Sequence, residues 1–349
     1  MMDYIFIQTP GQIRQNTLMT ETKTAADHAP DQRKQEAAAW AAESMNLENL
    51  KLEPVSGDAS FRRYFRFKAD DRSVILMDAP PDKEDSAPFV DIDQRLRAAG
   101  LNAPEILHFD LRLGFGLIED YGDTLYRDIL DQKSVDDLFP PLFDTLGAMA
   151  LEVDVNGLPR YDALALQQEM ALFPDWYLRV HRQRTFSSEE QLIWNELCAS
   201  LIKSAYAQPQ VFVHKDFHSC NLLLTESGKP GIIDFQDGLT GPLSYDSASL
   251  LWDRYISWPR DRLVSWMKDL HILLNPGCKL ETWIQWCDLM GLQRNLKIVG
   301  IFARLHYRDG KDDYLDLIPR FYDYLLGVLR LYPEFGEFHQ ILEQSECAP

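Results

Sequence analysis

Three polar side chains in the stretch 211–237 have the types and the order that phosphoryl transfer requires. An apolar run at the start of this stretch delivers Asp216 and Asn221 in the spacing H-x-D-x-x-x-x-N, which begins at His214. A second apolar run delivers Asp234. One carboxylate can orient and deprotonate an acceptor hydroxyl, while an amide oxygen and a second carboxylate can hold Mg²⁺ on the phosphates of a nucleotide. We therefore interpret Asp216 as the catalytic residue, and Asn221 and Asp234 as the metal ligands.

The residues between these side chains predict the element that positions them. The segments 221–224 and 231–233 are short and apolar, and the sequence T-E-S-G between them is typical of a tight turn. A hairpin there would hold the amide and the second carboxylate at strand ends. We expect His214 to brace the loop by hydrogen bonds rather than to react, and Asp246 to act as a cap or loop brace.

The same stretch resembles a known family. HKDFHSCNLLL followed by GIIDFQD is similar to the catalytic and metal loops of the aminoglycoside phosphotransferase and choline kinase superfamily, which shares the protein-kinase-like fold. SGDASFRRYFRF at 56–67 and the segment 77–85 narrow the resemblance to the bacterial anomeric kinases for N-acetylmuramate and N-acetylglucosamine. The resemblance implies ATP and Mg²⁺ as cofactors, and phosphorylation of an amino sugar at its anomeric hydroxyl in cell-wall recycling.

Taken alone, the residues indicate only a small-molecule kinase. Another alcohol, such as an aminoglycoside, choline or homoserine, could be the acceptor. The third predicted strand, 73–77, lacks the lysine that kinases place there to hold nucleotide phosphates. That departure permits a nucleotide-binding pseudokinase, although the complete set of Asp216, Asn221 and Asp234 argues against it.

The predicted fold is α+β and two-lobed, with a small β-sheet N-lobe and a mainly helical C-lobe. We expect residues 1–35 to be a poorly ordered N-terminal extension, in which Met19 resembles a natural start. Residues 36–120 would form the nucleotide-binding N-lobe, and residues 121–349 the C-lobe with the catalytic loop. Strand and helix patterns support this division, and the segment 119–123 falls where the hinge between the lobes is expected.

The nucleotide site is predicted from small residues and from position. Small side chains at 56–60 let backbone N–H groups approach an anion closely, although an ordinary hairpin turn fits the stretch as well. The cation that replaces the strand lysine is open among Arg63, Arg66 and Lys83. The residues predicted to contact the nucleotide are Ser56, Gly57, Ala59, Ser60, Arg63 and Glu119.

The acceptor site rests mainly on the resemblance. The segment 168–177 is similar to the part of the sugar kinases that faces the acceptor, although its apolar stripe is also typical of a core helix. Arg254 could meet an anionic sugar substituent or form a surface ion pair. The residues predicted to contact the acceptor are Glu169, Trp176, His218 and Arg254.

Composition excludes several classes of function. The chain has 349 residues, with 54 acidic and 35 basic side chains and a formal net charge of -19. Such a charge disfavours nucleic acids and anionic membranes as partners. The five cysteines contain no C-x-x-C pair, which argues against a disulfide framework or a zinc site. No apolar run is long enough to span a membrane. We therefore expect a soluble, cytoplasmic protein whose partner is a small sugar.

Overall fold

The chain folds into a sheet-based N-lobe followed by a helical C-lobe. The computed structural model describes residues 31–48, 50–55 and 61–346. The prediction for residues 1–35 therefore falls mostly outside the described part of the chain. The lobe boundary near residue 120 stays a prediction, and the last strand of the N-lobe sheet ends at Glu119.

The first helix begins earlier than its alanine-rich sequence predicted. The alanine-rich segment around Trp40 predicts a helix over 35–45, whereas the observed helix spans Gln32–Met45. The Asp31 side chain accepts a hydrogen bond from the Lys34 N–H at 3.1 Å and thereby caps the helix. The acidic cap, rather than the alanine run, sets the start of the helix.

The N-lobe is built on a five-stranded sheet whose strand order is β1-β2-β3-β5-β4, with every neighbouring pair antiparallel. This arrangement confirms the predicted β-sheet N-lobe and the predicted strand at 73–77. The elements of the N-lobe are α1 (Gln32–Met45), β1 (Glu53–Val55), β2 (Arg63–Ala69), β3 (Arg72–Asp78), α2 (Ala87–Ala98), β4 (Ile106–Asp110) and β5 (Phe115–Glu119).

The two faces of this sheet have different neighbours, because successive side chains of a strand point to opposite sides. The inner face belongs to the main core that continues into the C-lobe, and there Tyr64 lies opposite Met77 in register. The outer face packs under α1. Its apolar cluster consists of Phe65, Phe67, Ala69, Val74, Leu76, Phe115 and Leu117 of the sheet, with Ala37 and Ala41 of the helix.

The segment predicted as the hinge is tied to the sheet by Arg66. Its guanidinium contacts both carboxylate oxygens of Asp120, at 2.7 and 2.9 Å, and both of Asp123, at 2.7 and 2.8 Å. The carboxylates of Asp123 and Asp120 raise the pKa of Arg66. These two bidentate ion pairs hold the chain in place where it leaves β5.

The C-lobe is organised around one long helix of 30 residues, which packs against most of the other C-lobe helices. None of the helices in the described residues combines the length and the apolar character that crossing a bilayer demands. The C-lobe helices are α3 (Tyr126–Ile129), α4 (Val135–Glu152), α5 (Ala163–Leu172), α6 (Ser188–Tyr206), α7 (Tyr245–Leu251), α8 (Arg260–Leu274), α9 (Leu280–Asp309), α10 (Ile318–Leu329) and α11 (Gly336–Glu346). Its strands are β6 (Gln210–Val213), β7 (Leu222–Leu224), β8 (Pro230–Ile232) and β9 (Leu239–Pro242).

Two local sequence signals in the helical region are reflected in the structure. Ser187 and Glu190 form a capping box at the start of α6, with both reciprocal hydrogen bonds present. The stripe that begins in α5 does not continue as a regular α-helix past Pro174. Phe173–His181 is π-helical instead, in keeping with a ring that removes one backbone donor.

The glycines and proline of the run GLTGP at 238–242 predict a turn, but Leu239–Pro242 forms a strand instead. β9 pairs antiparallel with β6, so that Val213 lies opposite Leu239. A Cβ atom on Gly238 would stand 2.8 Å from the Phe212 ring, so the glycine permits this close approach. Long-range pairing thus overrides the local signal.

A buried carboxyl on α2 is a source of pH-dependent stability. Asp93 is 2% exposed, and its Oδ1 atom has no hydrogen-bond partner among the described residues. Burial raises the pKa of Asp93 to about 7, although the charge of Arg97 opposes this effect. The folded protein therefore favours the protonated carboxyl.

We predict that Asp93 makes the folded protein less stable as the pH rises. The unfolded chain releases this proton near pH ~4, whereas the folded protein keeps it up to about 7, so the free energy of unfolding falls between these values. Asp93→Asn should abolish most of this fall, which is on the order of a few kcal/mol. Thermal denaturation at about pH 5 and about pH 8 measures the difference. Asp91→Asn, on the exposed side of the same helix, should leave the fall unchanged, and an identical fall in both variants would contradict the assignment.

Candidate active site

A hairpin places the amide and the second carboxylate side by side, as the sequence predicted. β7 pairs antiparallel with β8, and Leu222 lies opposite Ile232. Asn221 precedes the first strand, and Asp234 closely follows the second, so both lie at the same end of the hairpin. The Asn221 Nδ2 atom is 3.3 Å from the Asp234 Oδ2 atom. Gln236 donates a hydrogen bond of 2.9 Å to the other carboxylate oxygen.

The loop that carries the first carboxylate is held by a buried acid. The carboxylate of Asp246 accepts hydrogen bonds from the N–H groups of His214, at 2.6 Å, and Lys215, at 3.1 Å. Lys215 has a φ of 76°, which is a strained backbone conformation for a side chain of this size. The His214 Nε2 atom is 3.0 Å from the Ile233 carbonyl oxygen. His214 and Asp246 are therefore braces, as predicted.

The hairpin and the loop converge, so that the three central side chains of the prediction share one site. Asn221 donates a hydrogen bond of 3.0 Å to the carbonyl oxygen of Asp216, while the same amide lies beside Asp234. Phe235, the residue after Asp234, stacks on Phe89 of α2 with ring centroids 5.0 Å apart. The site is thus anchored to both lobes.

Positive charges surround the carboxylate of Asp216. Burial alone would raise its pKa, but nearby positive charges, first that of Lys297 and also that of Arg294, lower the pKa to about 2. Arg294 is 3% exposed and donates a hydrogen bond of 2.7 Å to Ser249. Asp216 is therefore ionised at neutral pH and can accept a proton.

The carboxylates of Glu169 and Asp216 both interact with Lys297. Its carboxylate is 3.4 Å from the Lys215 Nζ atom and 3.2 Å from the Lys297 Nζ atom, and it accepts a hydrogen bond from Tyr161. Burial would raise the pKa of Glu169, but the two lysines lower it. The structure therefore places the predicted acceptor residue Glu169 at the site, with its charge already paired.

Two further acceptor candidates are brought together on the other side of the site. The Arg254 Nη2 atom is 3.3 Å from the His218 Nε2 atom. Burial and the charge of Arg254 lower the pKa of His218 to about 4, so the imidazole is neutral at physiological pH. The carboxylate of Asp253 ties this region to the catalytic loop, since it accepts N–H hydrogen bonds from Ser219 at 2.9 Å and Tyr255 at 2.7 Å.

Comparison with known proteins shows which family the chain belongs to. The model of the phosphotransferase enzyme family matches residues 51–271, which include the loop and the hairpin. The chain belongs to this family.

Relatives of this phosphotransferase carry the same function in their names. The N-acetylmuramate/N-acetylglucosamine kinase of Pseudomonas aeruginosa is 44% identical over 305 residues, covering 84% of this chain and 88% of that protein. The kinase of the same name from Pseudomonas putida is 39% identical over 302 residues, covering 85% of this chain and 88% of that protein.

Solved structures of low sequence identity share the fold of this phosphotransferase. A choline kinase from Streptococcus pneumoniae has a TM-score of 0.60 at 14% identity, covering 84% of this chain and 99% of that one. An aminoglycoside phosphotransferase, solved with AMP-PNP and hygromycin B, has a TM-score of 0.55 at 16% identity, covering 82% of this chain and 97% of that one. The predicted two-lobed, kinase-like α+β fold is confirmed.

The other residues that were predicted to contact the nucleotide or the acceptor do not share one location. Arg63 was predicted to contact the nucleotide, but its guanidinium lies on the outer face of the sheet, 2.5 Å from Asp78 and over the Phe65 ring. The Glu119 side chain accepts a hydrogen bond of 3.1 Å from the Glu105 N–H at the end of β5. Trp176 packs, half-buried, against the main core. The four small candidates lie outside the described residues: Ser56, Gly57, Ala59 and Ser60.

The sequence did not reveal the cations on α9 whose charges act on the Asp216 carboxylate. Lys297 and Arg294 lie far along the chain from Asp216 and belong to no motif. The available signal was a polar run, Q-R-N-x-K, inside a helix that is otherwise apolar at its centre. Buried charges of this kind are found where they are paired.

We predict that Lys297 keeps Asp216 ionised in acid. Lys297→Met removes a positive charge that favours the carboxylate, so the pKa of Asp216 should rise above about 2. The acid limb of the pH profile of kcat/KM should then move upward by about 1 to 3 units. Lys297→Arg keeps the charge and should preserve the wild-type profile. A folded Lys297→Met protein with an unshifted acid limb would rule out this role.

Proposed function

We propose that this phosphotransferase transfers the γ-phosphoryl group of ATP to the anomeric hydroxyl of N-acetylmuramate, N-acetylglucosamine or both. The convergence of Asp216, Asn221 and Asp234 in one site is the observation that carries the proposal. The names of relatives that are 39% and 44% identical supply the acceptor. The reaction would return amino sugars from the cell wall to metabolism.

Asn221 and Asp234 are suited to hold Mg²⁺ together with the phosphates. Among the described residues, no group of three or more His, Cys, Asp or Glu side chains is arranged to hold a metal ion by itself. One carboxylate and one amide oxygen nevertheless fit Mg²⁺, which keeps water and phosphate oxygens as its other ligands. When bound, the ion would neutralise charge on the phosphates during transfer.

Asp216 would aim the acceptor hydroxyl and accept its proton. Its low pKa makes it a weak base, but an anomeric hydroxyl is more acidic than an ordinary alcohol, so the demand on the base is modest. In a loose phosphoryl-transfer transition state, the orientation of the attacking oxygen contributes much of the rate. Asp216 is half-buried, so it is not fully withdrawn from solvent.

An acceptor panel tests this function. We expect ADP release with ATP, Mg²⁺ and N-acetylmuramate or N-acetylglucosamine, and no comparable release with an aminoglycoside, choline or homoserine. Asp216→Asn should lower turnover by at least ~100-fold, because the proton acceptor is lost. ATP binding, measured by calorimetry, should survive in that variant. Turnover of choline in place of the sugars would refute the acceptor, and near-wild-type turnover of Asp216→Asn would refute the role of Asp216.

Arg254 is the residue that we expect to distinguish the two sugars. N-acetylmuramate carries a lactyl carboxylate that N-acetylglucosamine lacks, so a cation at the acceptor site favours the first sugar. Arg254 lies beside His218 and close enough to Asp216 for their charges to interact. The His218 imidazole is neutral at physiological pH, so the positive charge of this pair lies on the Arg254 guanidinium.

We predict that Arg254→Gln lowers kcat/KM for N-acetylmuramate by about 10-fold or more relative to N-acetylglucosamine, the scale of one charged hydrogen bond. Arg254→Lys keeps the charge and should retain part of the preference. Steady-state kinetics on both sugars measure the ratio. An unchanged ratio in Arg254→Gln would show that Arg254 does not bind the lactyl carboxylate of N-acetylmuramate.

A further inference from the structure

We propose that Arg62, held in place by Glu84, is the cation that binds the nucleotide phosphates in place of the lysine that β3 lacks. The inference rests on the proposed use of ATP, but not on the identity of the acceptor. It answers a question that the sequence left open among Arg63, Arg66 and Lys83.

A nucleotide bound beside the inner face of the sheet would need a cation at its phosphates, and β3 has none on that face. The inward side chains of that strand are Ile75 and Met77, which belong to the apolar core. Tyr64 lies opposite Met77 in register, so its side chain occupies the same face. Kinases hold nucleotide phosphates with a lysine on this strand. The positive charge must therefore come from another element.

Arg62 is buried beside this face. It is 8% exposed, and its Nη2 atom is 3.2 Å from the Glu84 Oε2 atom. The guanidinium also contacts the Tyr64 hydroxyl. The Tyr64 phenol in turn lies within the electrostatic reach of the Asp234 carboxylate, the predicted magnesium ligand. Arg62 is thus linked through Tyr64 to the inner face of the sheet, the face that includes the core shared with the C-lobe.

Glu84 is fixed independently of Arg62. It lies in the turn between β3 and α2, where its N–H donates a hydrogen bond of 2.9 Å to the Pro80 carbonyl oxygen. Its Oε1 atom accepts a hydrogen bond of 3.3 Å from the Phe61 N–H. The carboxylate therefore holds both the backbone next to Arg62 and the guanidinium itself. In kinases, the lysine of β3 is likewise positioned by a glutamate.

The other cations of the N-lobe are engaged away from this position in the described part of the chain. Arg66 is neutralised by Asp120 and Asp123 at the hinge. Lys83 is half-exposed, and its nearest carboxylate is that of Asp82 at 3.6 Å. Those that point to the outer face, to the surface or along α2 are Arg33, Lys34, Lys51, Arg63, Lys68, Arg72, Arg95, Arg97 and Arg112.

The chemistry of arginine suits the proposed role. Its planar guanidinium presents donors in a fork that matches phosphate oxygens, and it stays charged in a partly buried site. The ion pair with Glu84 along one edge orients the Arg62 guanidinium. In the protein without nucleotide, the Glu84 carboxylate also neutralises its charge. Loss of the side chain should therefore affect the binding of phosphates and not the binding of adenosine.

Calorimetric titration without acceptor tests the proposal, with Mg-ATP and adenosine as the two probes. Arg62→Gln should weaken the binding of Mg-ATP by about 10- to 100-fold, the scale of a charged hydrogen bond, and leave adenosine affinity unchanged. Arg62→Lys should recover part of the loss. Glu84→Gln should weaken Mg-ATP binding by a smaller factor, because it frees the guanidinium without removing it.

Arg33→Gln is the matched control, since it removes an arginine that pairs with Asp78 on the outer face, at 2.7 Å. It should bind Mg-ATP as the wild type does.

A folded Arg62→Gln protein with wild-type affinity for Mg-ATP, or with equal losses for Mg-ATP and adenosine, would overturn the proposal. If thermal denaturation shows that Arg62→Gln is unfolded, wild-type Mg-ATP affinity in Glu84→Gln overturns it, and a loss specific to Mg-ATP supports it. Failure of both sugars in the acceptor panel would refute the sugar assignment and leave this result unaffected.

Discussion

The active site depends on one buried carboxylate that holds strained backbone in place. Asp246 accepts the N–H groups of His214 and Lys215, and Lys215 occupies a conformation that residues with a side chain rarely adopt. Burial raises the pKa of Asp246 to about 6, and the hydrogen bonds from His214 and Lys215 offset part of that rise. The direction of Asp216, and hence the meeting of loop and hairpin, follows from this anchor.

A second constraint is electrostatic. The chain carries a formal net charge of -19, yet the positive charges of Lys297 and Arg294 on α9 act on Asp216. Burial strengthens these local interactions, because the protein interior screens charge less than water does. An acidic protein can therefore bind anionic ligands such as ATP. The paired state of Glu169 with Lys215 and Lys297 shows that much of this buried charge is balanced within the site.

The sheet separates neighbouring arginines of the N-lobe onto different sides. Arg62 and Arg63 are neighbours in the sequence, but one contacts Glu84 and Tyr64 toward the inner face and the other contacts Asp78 on the outer face. Arg66 returns to the inner side, where two hinge carboxylates hold it. Side chains of β2 alternate between the faces of the sheet, so Arg63 and Arg66 lie on opposite sides, and the three nearby arginines meet different partners.

The sequence by itself determined the strands of the N-lobe, the hairpin that carries Asn221 and Asp234, and the braces around Asp216. These features depend on short-range patterns: alternation, turn residues and a spaced motif. Only the tertiary structure decided that the run after Asp237 pairs as a strand, that Arg63 faces away from the cleft, and that Lys297 acts on Asp216. Those outcomes depend on which distant segments pack together, and burial then changes the charge of a group in a way that no local pattern records.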